Sequence, residues 1–133
     1  MPGDRVEIVR RYFEAWETGD FEDTLKELDT RITVDWSESK APYARVYIGL
    51  AGARQLYEEL RQTFEDARIE THDLIEAGPC VAARNTVHLR GRAGIEVVAR
   101  STIVFTFDDG KIVEIRLFQE HSAALEAIGA AAG

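Results

Sequence analysis

The sequence has one cysteine, three prolines and no long apolar run, and each scarcity excludes a kind of protein. Cys80 has no second cysteine to pair with, so an internal disulfide framework is excluded and a reducing compartment fits. No stretch approaches the roughly 20 apolar residues that span a bilayer, and the first residues lack the pattern of a signal peptide. We therefore expect a soluble, cytoplasmic protein.

Basic residues are also in the minority, because 16 Lys and Arg stand against 24 Asp and Glu and give a formal net charge of −8. Acidic residues spread in this way argue against nucleic acid and anionic membranes as partners. No glycine-rich phosphate loop precedes a helix, and His72 and His121 lack the spacing of metal ligands. We expect no metal, no cofactor, no nucleic-acid partner and no membrane partner.

The 133 residues fit a single domain, 1–133, in which helices dominate the first half and strands the second. Apolar residues recur at helical spacing over 4–16 and 49–64, and Gly19-Asp20 fits a tight corner into a second helix. Strands are predicted over 30–36, 67–77, 80–91 and 95–107, and a short last helix over 122–128. This order predicts an α+β fold with helices on one face of a sheet. On the third helix, Glu58, Glu59 and Arg61 are predicted to face solvent.

The strongest local signal is Asp109-Gly110, which lies between two runs rich in β-forming residues. A two-residue turn of this composition takes positive φ angles that match the twist of a hairpin. Both runs are apolar on both faces, and Ile103, Phe105, Ile115 and Leu117 form one of these faces. Such strands must be covered on both sides, by helices or by a partner subunit.

Three motifs and the order of the elements carry a family resemblance. The motifs are Tyr12-Phe13-Glu14-Ala15-Trp16-Glu17-Thr18-Gly19-Asp20, Tyr47-Ile48-Gly49 and Phe107-Asp108-Asp109-Gly110-Lys111-Ile112-Val113. Over nearly its whole length the chain resembles the SnoaL-like polyketide cyclase branch of the nuclear transport factor two and ketosteroid isomerase superfamily. The resemblance implies a cone-shaped, curved antiparallel sheet wrapped against three helices of the N-terminal half, a cystatin-like α+β barrel, with a short C-terminal helix. It also implies a deep, mainly apolar pocket and a homodimer formed through the convex face of the sheet.

The catalytic groups of ketosteroid isomerases can be sought by counting residues from the shared motifs. Tyr12 falls on the tyrosine that helps to form the oxyanion hole. Trp36 stands at the position of the general base, and Ile103 stands at the position of the protonated aspartic acid. Two of the three groups are therefore missing, which argues against this chemistry.

The catalytic residues of two further kinds of enzyme in the superfamily are also matched only in part. Against limonene-epoxide hydrolases, Arg84 matches the arginine, but Thr86 and Leu117 replace the two aspartates. Polyketide cyclases use a late-strand acidic residue as acid and base, and Glu120 or His121 could substitute for it here. The resemblance thus implies a pocket without the complete catalytic set of any of these relatives.

The strand over 80–91 alternates between two sets of side chains, and two arguments orient it in opposite ways. Hydrophobicity alone would bury the set formed by Ala83, Asn85, Val87 and Leu89. The resemblance instead points the other set into the cone and leaves the apolar set to a dimer interface; this other set is Arg84, Thr86 and His88. We follow the resemblance, because these side chains would then share one cavity with Ile103 and Phe105.

The predicted catalytic residues are His88 as acid or base, Tyr12 as donor to an oxyanion and Arg84 as the holder of an anion. The predicted substrate-binding residues share the expected cavity; they are Trp16, Trp36, Thr86, Ile103, Phe105, Ile115, Leu117 and Gln119. Each catalytic candidate also has a structural interpretation, as a surface histidine, a core tyrosine and an ion-paired arginine.

Two functions from different classes follow. The first is an isomerase, cyclase or lyase that acts by acid/base chemistry on a small apolar carbonyl compound. The second is a non-catalytic ligand-binding or dimeric interaction module that keeps the cone without the catalytic carboxylates. The missing aspartates favour the second function, whereas three polar residues on one cavity face favour the first.

Overall fold

The computed structural model describes residues 4–39, 43–91 and 93–129. Their helices are α1 (Asp4–Thr18), α2 (Phe21–Thr24), α3 (Gly49–Thr63) and α4 (His121–Ala127), with a 3₁₀ turn at Leu25–Glu27. Their strands are β1 (Leu28–Asp35), β2 (Val46–Ile48), β3 (Phe64–Ala77), β4 (Cys80–Gly91), β5 (Glu96–Asp108) and β6 (Lys111–Phe118). In the described part of the chain, no helix combines the length and the apolar character needed to cross a membrane.

The six strands form one curved sheet in the order β2-β1-β6-β5-β4-β3, and this sheet does not close on itself. The predicted α+β class is confirmed. Neighbouring strands run antiparallel except β1 and β6, which are parallel. This parallel pair departs from the expected antiparallel sheet, and most of the chain lies between its two strands, which is the long connection that parallel pairing requires.

The predicted hairpin joins β5 to β6 through Asp109 and Gly110, whose φ angles are 52° and 79°. Positive φ at both turn residues is the geometry that favours Asp-Gly in two-residue hairpins. A register shift follows the turn, because Thr106 pairs with Glu114 while Phe107 pairs with Ile112. The extra residue is Val113, and this bulge puts Ile112 and Ile115 in the same buried core, which simple alternation along the strand does not predict.

The second helix is shorter than the sequence pattern predicts. A stripe of Phe21, Leu25 and Leu28 indicates a helix, but α2 ends at Thr24 and Leu28 begins β1. In the extended conformation Leu28 pairs with Ile112 of β6 and is only 4% exposed. Tertiary pairing in the sheet therefore overrides the local helical pattern.

The sheet has two faces of different character, which we call the inner face and the outer face. On the inner face, Val81, Ala83 and Phe105 belong to the main core together with Val9 and Phe13 of α1, and residues of α3 complete it. The outer face carries a smaller cluster in which α4 covers part of the sheet through Ala124; its sheet members are Ala82, Val104 and Phe118. The rest of the outer face between β3 and β5 has no covering element among the described residues.

Candidate functional site: a cavity between the inner face and the helices

A cavity of about 430 Å³ lies between the inner face of the sheet and helices α1 and α3. Tyr12, Phe13 and Trp16 of α1 form one wall, and Leu60 and Arg61 of α3 another. The sheet contributes an apolar wall from β3 to β6, which includes Ile69, Val87, Leu89, Ile103, Ile115 and Leu117. This volume is in the range of small-ligand sites, roughly 300–1,000 Å³.

The cavity exists because aromatic rings fill only one end of the inner face. Phe105 lies edge-on to Tyr12 and Phe13, with ring centroids 5.4 and 5.5 Å apart, and is fully buried. Towards the other end of the sheet, Val87 and Leu89 of β4 face open space instead of a helix. The same face is therefore a packed core at one end and a cavity at the other.

Tyr12 brings a polar group to this apolar wall. Its side chain is only 7% exposed, and burial raises the pKa of the hydroxyl to about 12, although a side-chain hydrogen bond with Trp16 works in the opposite direction. No described residue accepts the hydroxyl proton. Tyr12 is thus a neutral hydrogen-bond donor at neutral pH.

Trp36 presents a second donor near the end of β1. Its indole Nε1–H is buried and has no hydrogen-bond partner among the described residues. A buried donor without an acceptor costs roughly 1–3 kcal/mol. Trp36 also borders the cavity.

The connection between β1 and β2 contributes Ser39 and Tyr43 to the cavity wall. The Tyr43 hydroxyl donates to Thr63 Oγ1 at the end of α3 over 2.7 Å. On the other side, Gln119 Nε2 donates to the Glu38 carbonyl oxygen over 2.7 Å. Residues 40–42 of this connection lie outside the described ranges.

Arg61 does not join the solvated helix face that the sequence predicts. Its Nη2 donates to the Trp16 carbonyl oxygen at the end of α1 over 2.9 Å, and its Nε donates to the Tyr57 hydroxyl over 3.2 Å. The guanidinium also lies 5.4 Å from the centre of the Tyr57 ring. Arg61 is therefore folded back over α3 and borders the cavity, where the sequence analysis placed Arg84 instead.

The prediction that Arg84, Thr86 and His88 point into the cavity is wrong. All three lie on the outer face, where each meets a partner on the neighbouring β3. Arg84 Nη1 is 3.6 Å from Asp73 Oδ2, Thr86 Oγ1 is 2.7 Å from His72 Nε2, and His88 Nε2 is 2.7 Å from Glu70 Oε1. The argument from hydrophobicity was the correct one, because Val87 and Leu89 of the same strand occupy the inner face.

Most of the other predicted site residues do reach the cavity. Those on its wall are Tyr12, Trp16, Trp36, Ile103, Ile115, Leu117 and Gln119. Phe105 lies beneath the wall, in contact with Tyr12. Five residues of the wall were not among the predicted site residues, namely Ser39, Tyr43, Arg61, Val87 and Leu89, although the alternation of β4 was a signal for the last two. Whether the wall residues bind a ligand stays a prediction.

The chemistry of the wall is that of hydrogen-bond donors without an acid/base group. No described residue on the wall is Asp, Glu or His, and the charged residues there are Arg61 and Arg100. Nor do three or more described His, Cys, Asp or Glu residues come together as a metal site. The described wall can hold and polarise a ligand, but it offers no side chain suited to remove a proton at neutral pH.

Solved structures with this fold are similar along nearly the whole chain. TerC, co-crystallised with polyporic acid, is 17% identical at a TM-score of 0.78, with 96% of this chain and 99% of TerC covered. The Δ5-3-ketosteroid isomerase from Mycobacterium sp. is 17% identical at a TM-score of 0.76, with 89% and 94% covered. A candidate SnoaL-like polyketide cyclase from Jannaschia sp. is 18% identical at a TM-score of 0.74, with 98% and 93% covered.

These identities are too low to carry more than the fold, and no curated protein matches the chain. The family itself is shown by sequence, since the profile of the SnoaL-like domain matches residues 9–115. This match spans α1 to β6 and includes most of the cavity wall. The chain belongs to the SnoaL-like domain family.

Proposed function

We propose that the protein binds a small, mainly apolar molecule in the cavity and that the Tyr12 hydroxyl donates a hydrogen bond to an oxygen atom of that ligand. The observation that carries this proposal is a protonated tyrosine, without a described acceptor, on the wall of an apolar cavity of about 430 Å³. An apolar pocket with few polar groups is the usual form of a small-molecule site. The co-crystallisation of the similar TerC with polyporic acid supports the proposal.

An isomerase, cyclase or lyase is the second candidate, and Tyr12 is also the observation that favours it. A buried hydroxyl with a raised pKa can stabilise a negative charge that develops on a carbonyl oxygen. The described wall supplies no base, so in this candidate the proton passes to a basic group of the ligand or to water. Binding without turnover therefore agrees best with the described residues.

Binding of 2-acetonaphthone, followed by calorimetry, tests the proposal, with 2-ethylnaphthalene as a ligand of similar shape without the carbonyl oxygen. We expect the ketone to bind roughly tenfold more tightly, because one buried hydrogen bond contributes about 1 kcal/mol or more. Tyr12→Phe should remove this preference. If neither compound binds, or if Tyr12→Phe keeps the preference, the proposal is wrong.

Two control variants separate the cavity from the rest of the protein. Tyr47→Phe removes a hydroxyl that donates to Glu59 Oε1 over 2.9 Å, away from the cavity. His88→Ala removes the outer-face histidine that the sequence analysis placed in the site. Both variants should bind the ketone as the wild type does. Incubation with the ketone, followed by chromatography, shows whether any reaction accompanies binding.

A homodimer through the outer face and a cytoplasmic location remain predictions from the sequence analysis. The apolar set expected at the interface lies on the inner face, so Val98, which is 55% exposed, is the main apolar residue left for such a contact. Light scattering after gel filtration measures the mass. We expect a dimer that Val98→Glu converts to a monomer, and a monomeric wild type would contradict the prediction.

A further inference from the structure

We propose that two copies of this chain pair through the outer face, with β5 of one copy packed antiparallel on β5 of the other, so that Glu96 faces Arg100 of the partner subunit. The inference goes beyond the ligand site. It rests on the homodimer predicted above and gives that dimer an axis and a register. It starts from two charges that the fold leaves without partners.

The outer face of β5 carries an exposed valine between two opposite charges. Glu96, Val98 and Arg100 alternate along this strand, and the last two lie opposite His88 and Thr86 of β4. Cross-strand partners share a face of the sheet, so all three side chains lie on the outer face. All three are exposed, and no described element covers them.

The neighbouring charges of β3 and β4 are paired within the chain. Arg90 Nη2, for example, lies 2.9 Å from Asp66 Oδ2, and the cross-strand pairs described above follow the same rule. By contrast, no described residue forms an ion pair with Glu96 or Arg100. Each of the other described arginines and lysines has a side-chain partner in the chain. Arg100 is therefore the described cation that is left for a partner.

The order of acid, valine and base along β5 is complementary to itself when reversed. A two-fold axis that crosses the strand at Val98, in the plane between two facing sheets, makes the two β5 strands antiparallel. Glu96 then faces Arg100 of the partner subunit at both ends of the contact, as a two-fold interface requires. Facing sheets lie about 10 Å apart, which these two long side chains together can span. An axis along the strand would instead bring like charges together.

The charge balance explains why this part of the surface suits a second copy. The chain has a formal net charge of −8, so most of its surface repels an identical surface. Three cross-strand rows of outer-face residues run from β3 through β4 to β5 around Val98. They hold equal numbers of acidic residues and arginines, namely Asp66, Glu70, Glu96, Arg68, Arg90 and Arg100. Two such surfaces can meet without net repulsion.

Charge reversal tests the register, with the dissociation constant of the dimer measured by sedimentation over a dilution series. Glu96→Arg and Arg100→Glu each bring like charges together at both ends of the contact, so each should raise this constant at least about tenfold. General repulsion between the copies predicts otherwise, because Glu96→Arg lowers the net negative charge and would tighten the dimer. The result for Glu96→Arg separates the two explanations.

Restoring the complementarity is the second measurement. The double variant with Glu96→Arg and Arg100→Glu keeps the net charge of the wild type and exchanges the two signs, so it should dimerise as the wild type does. A mixture of the two single variants should form a heterodimer, because every charge at these positions then faces its opposite. Native mass spectrometry identifies the heterodimer by its mass.

Matched controls make the same changes in net charge on the helices that cover the inner face. Glu58→Arg on α3 and Arg10→Glu on α1 alter exposed side chains, and both variants should dimerise as the wild type does. Circular dichroism checks that each variant folds.

The outcomes separate this inference from the proposals on which it stands. A monomeric wild type overturns the inference together with the predicted homodimer. If the wild type is a dimer that neither reversal weakens, or that the double variant does not restore, the register is wrong while the homodimer stands. Binding of 2-acetonaphthone depends on the inner-face cavity and decides the ligand-binding function separately.

Discussion

The two faces of β4 are stabilised by different interactions, although their residues alternate along one strand. On the inner face, Ala83 is fully buried and packs in the main core. On the outer face, Arg84 is exposed and pairs with Asp73 across the sheet. The inner face is held by apolar burial, which depends on the helices above it, whereas the outer face is held by local cross-strand pairs. The cavity between the sheet and helices α1 and α3 lies on the inner face, where the helices stop filling it.

The largest effect is expected when a core side chain is removed from the packed end of the inner face. Phe105→Ala removes a fully buried ring that contacts Tyr12 and Phe13. We expect a loss of about 3–5 kcal/mol in the free energy of unfolding, the usual cost of truncating a core aromatic residue. Urea denaturation followed by circular dichroism measures it. Leu89→Ala, at the cavity end, should cost only about 1 kcal/mol, and equal losses would mean that the two ends do not differ.

The next largest difference in stability is expected between Ala83→Gln and Arg84→Gln, which change two neighbouring residues on opposite faces of the sheet. Ala83→Gln forces a larger polar side chain into the fully buried inner face and should cost about 3 kcal/mol. Arg84→Gln removes an exposed ion pair with N and O atoms 3.6 Å apart and should change stability by less than about 0.5 kcal/mol. Denaturation of both variants in the same buffer checks the difference. A large loss for Arg84→Gln would contradict the assignment of the faces.

The pH dependence of Tyr12 gives the smallest expected effect. Burial raises its pKa from 10.0 to about 12, so above pH 10 the unfolded chain loses this proton while the folded chain keeps it. Stability linked to Tyr12 is therefore complete below pH 10 and is lost as the pH rises from 10 to about 12. Between pH 10 and 11 we expect a loss of about 1 kcal/mol. Denaturation at these pH values should show a weaker dependence for Tyr12→Phe, and identical slopes would exclude a buried, protonated Tyr12.

Local signals in the sequence predicted the elements well. Asp109-Gly110 predicted the hairpin because few dipeptides accept its two positive φ angles. The spacing of apolar residues predicted α1 and α3 because each helix buries a single stripe. The predicted extension of the second helix to Leu28 was wrong, because pairing of Leu28 with Ile112 in the sheet outweighs the helical pattern that precedes it.

The candidate site was predictable only in part. Tyr12, Trp16 and Trp36 were found because motifs place them on elements that face the cone. The side chains of β4 were assigned to the wrong faces of the sheet, because the family resemblance was preferred to the hydrophobic alternation, which was correct. Arg61 could not be found by pattern, because a charged residue on an amphipathic helix reads as solvated until the positions of its acceptors are known.

By itself, the sequence determined the order of elements, the tight turns and the set of residues that must be buried, because backbone preference and hydrophobic periodicity act over a few residues. Tertiary structure alone decided the parallel pairing of β1 with β6, the bulge at Val113 and the return of Arg61 to the end of α1. It also decided which part of the inner face the helices leave uncovered. These features depend on contacts between residues far apart in the chain, and no local pattern records how two distant surfaces fit together.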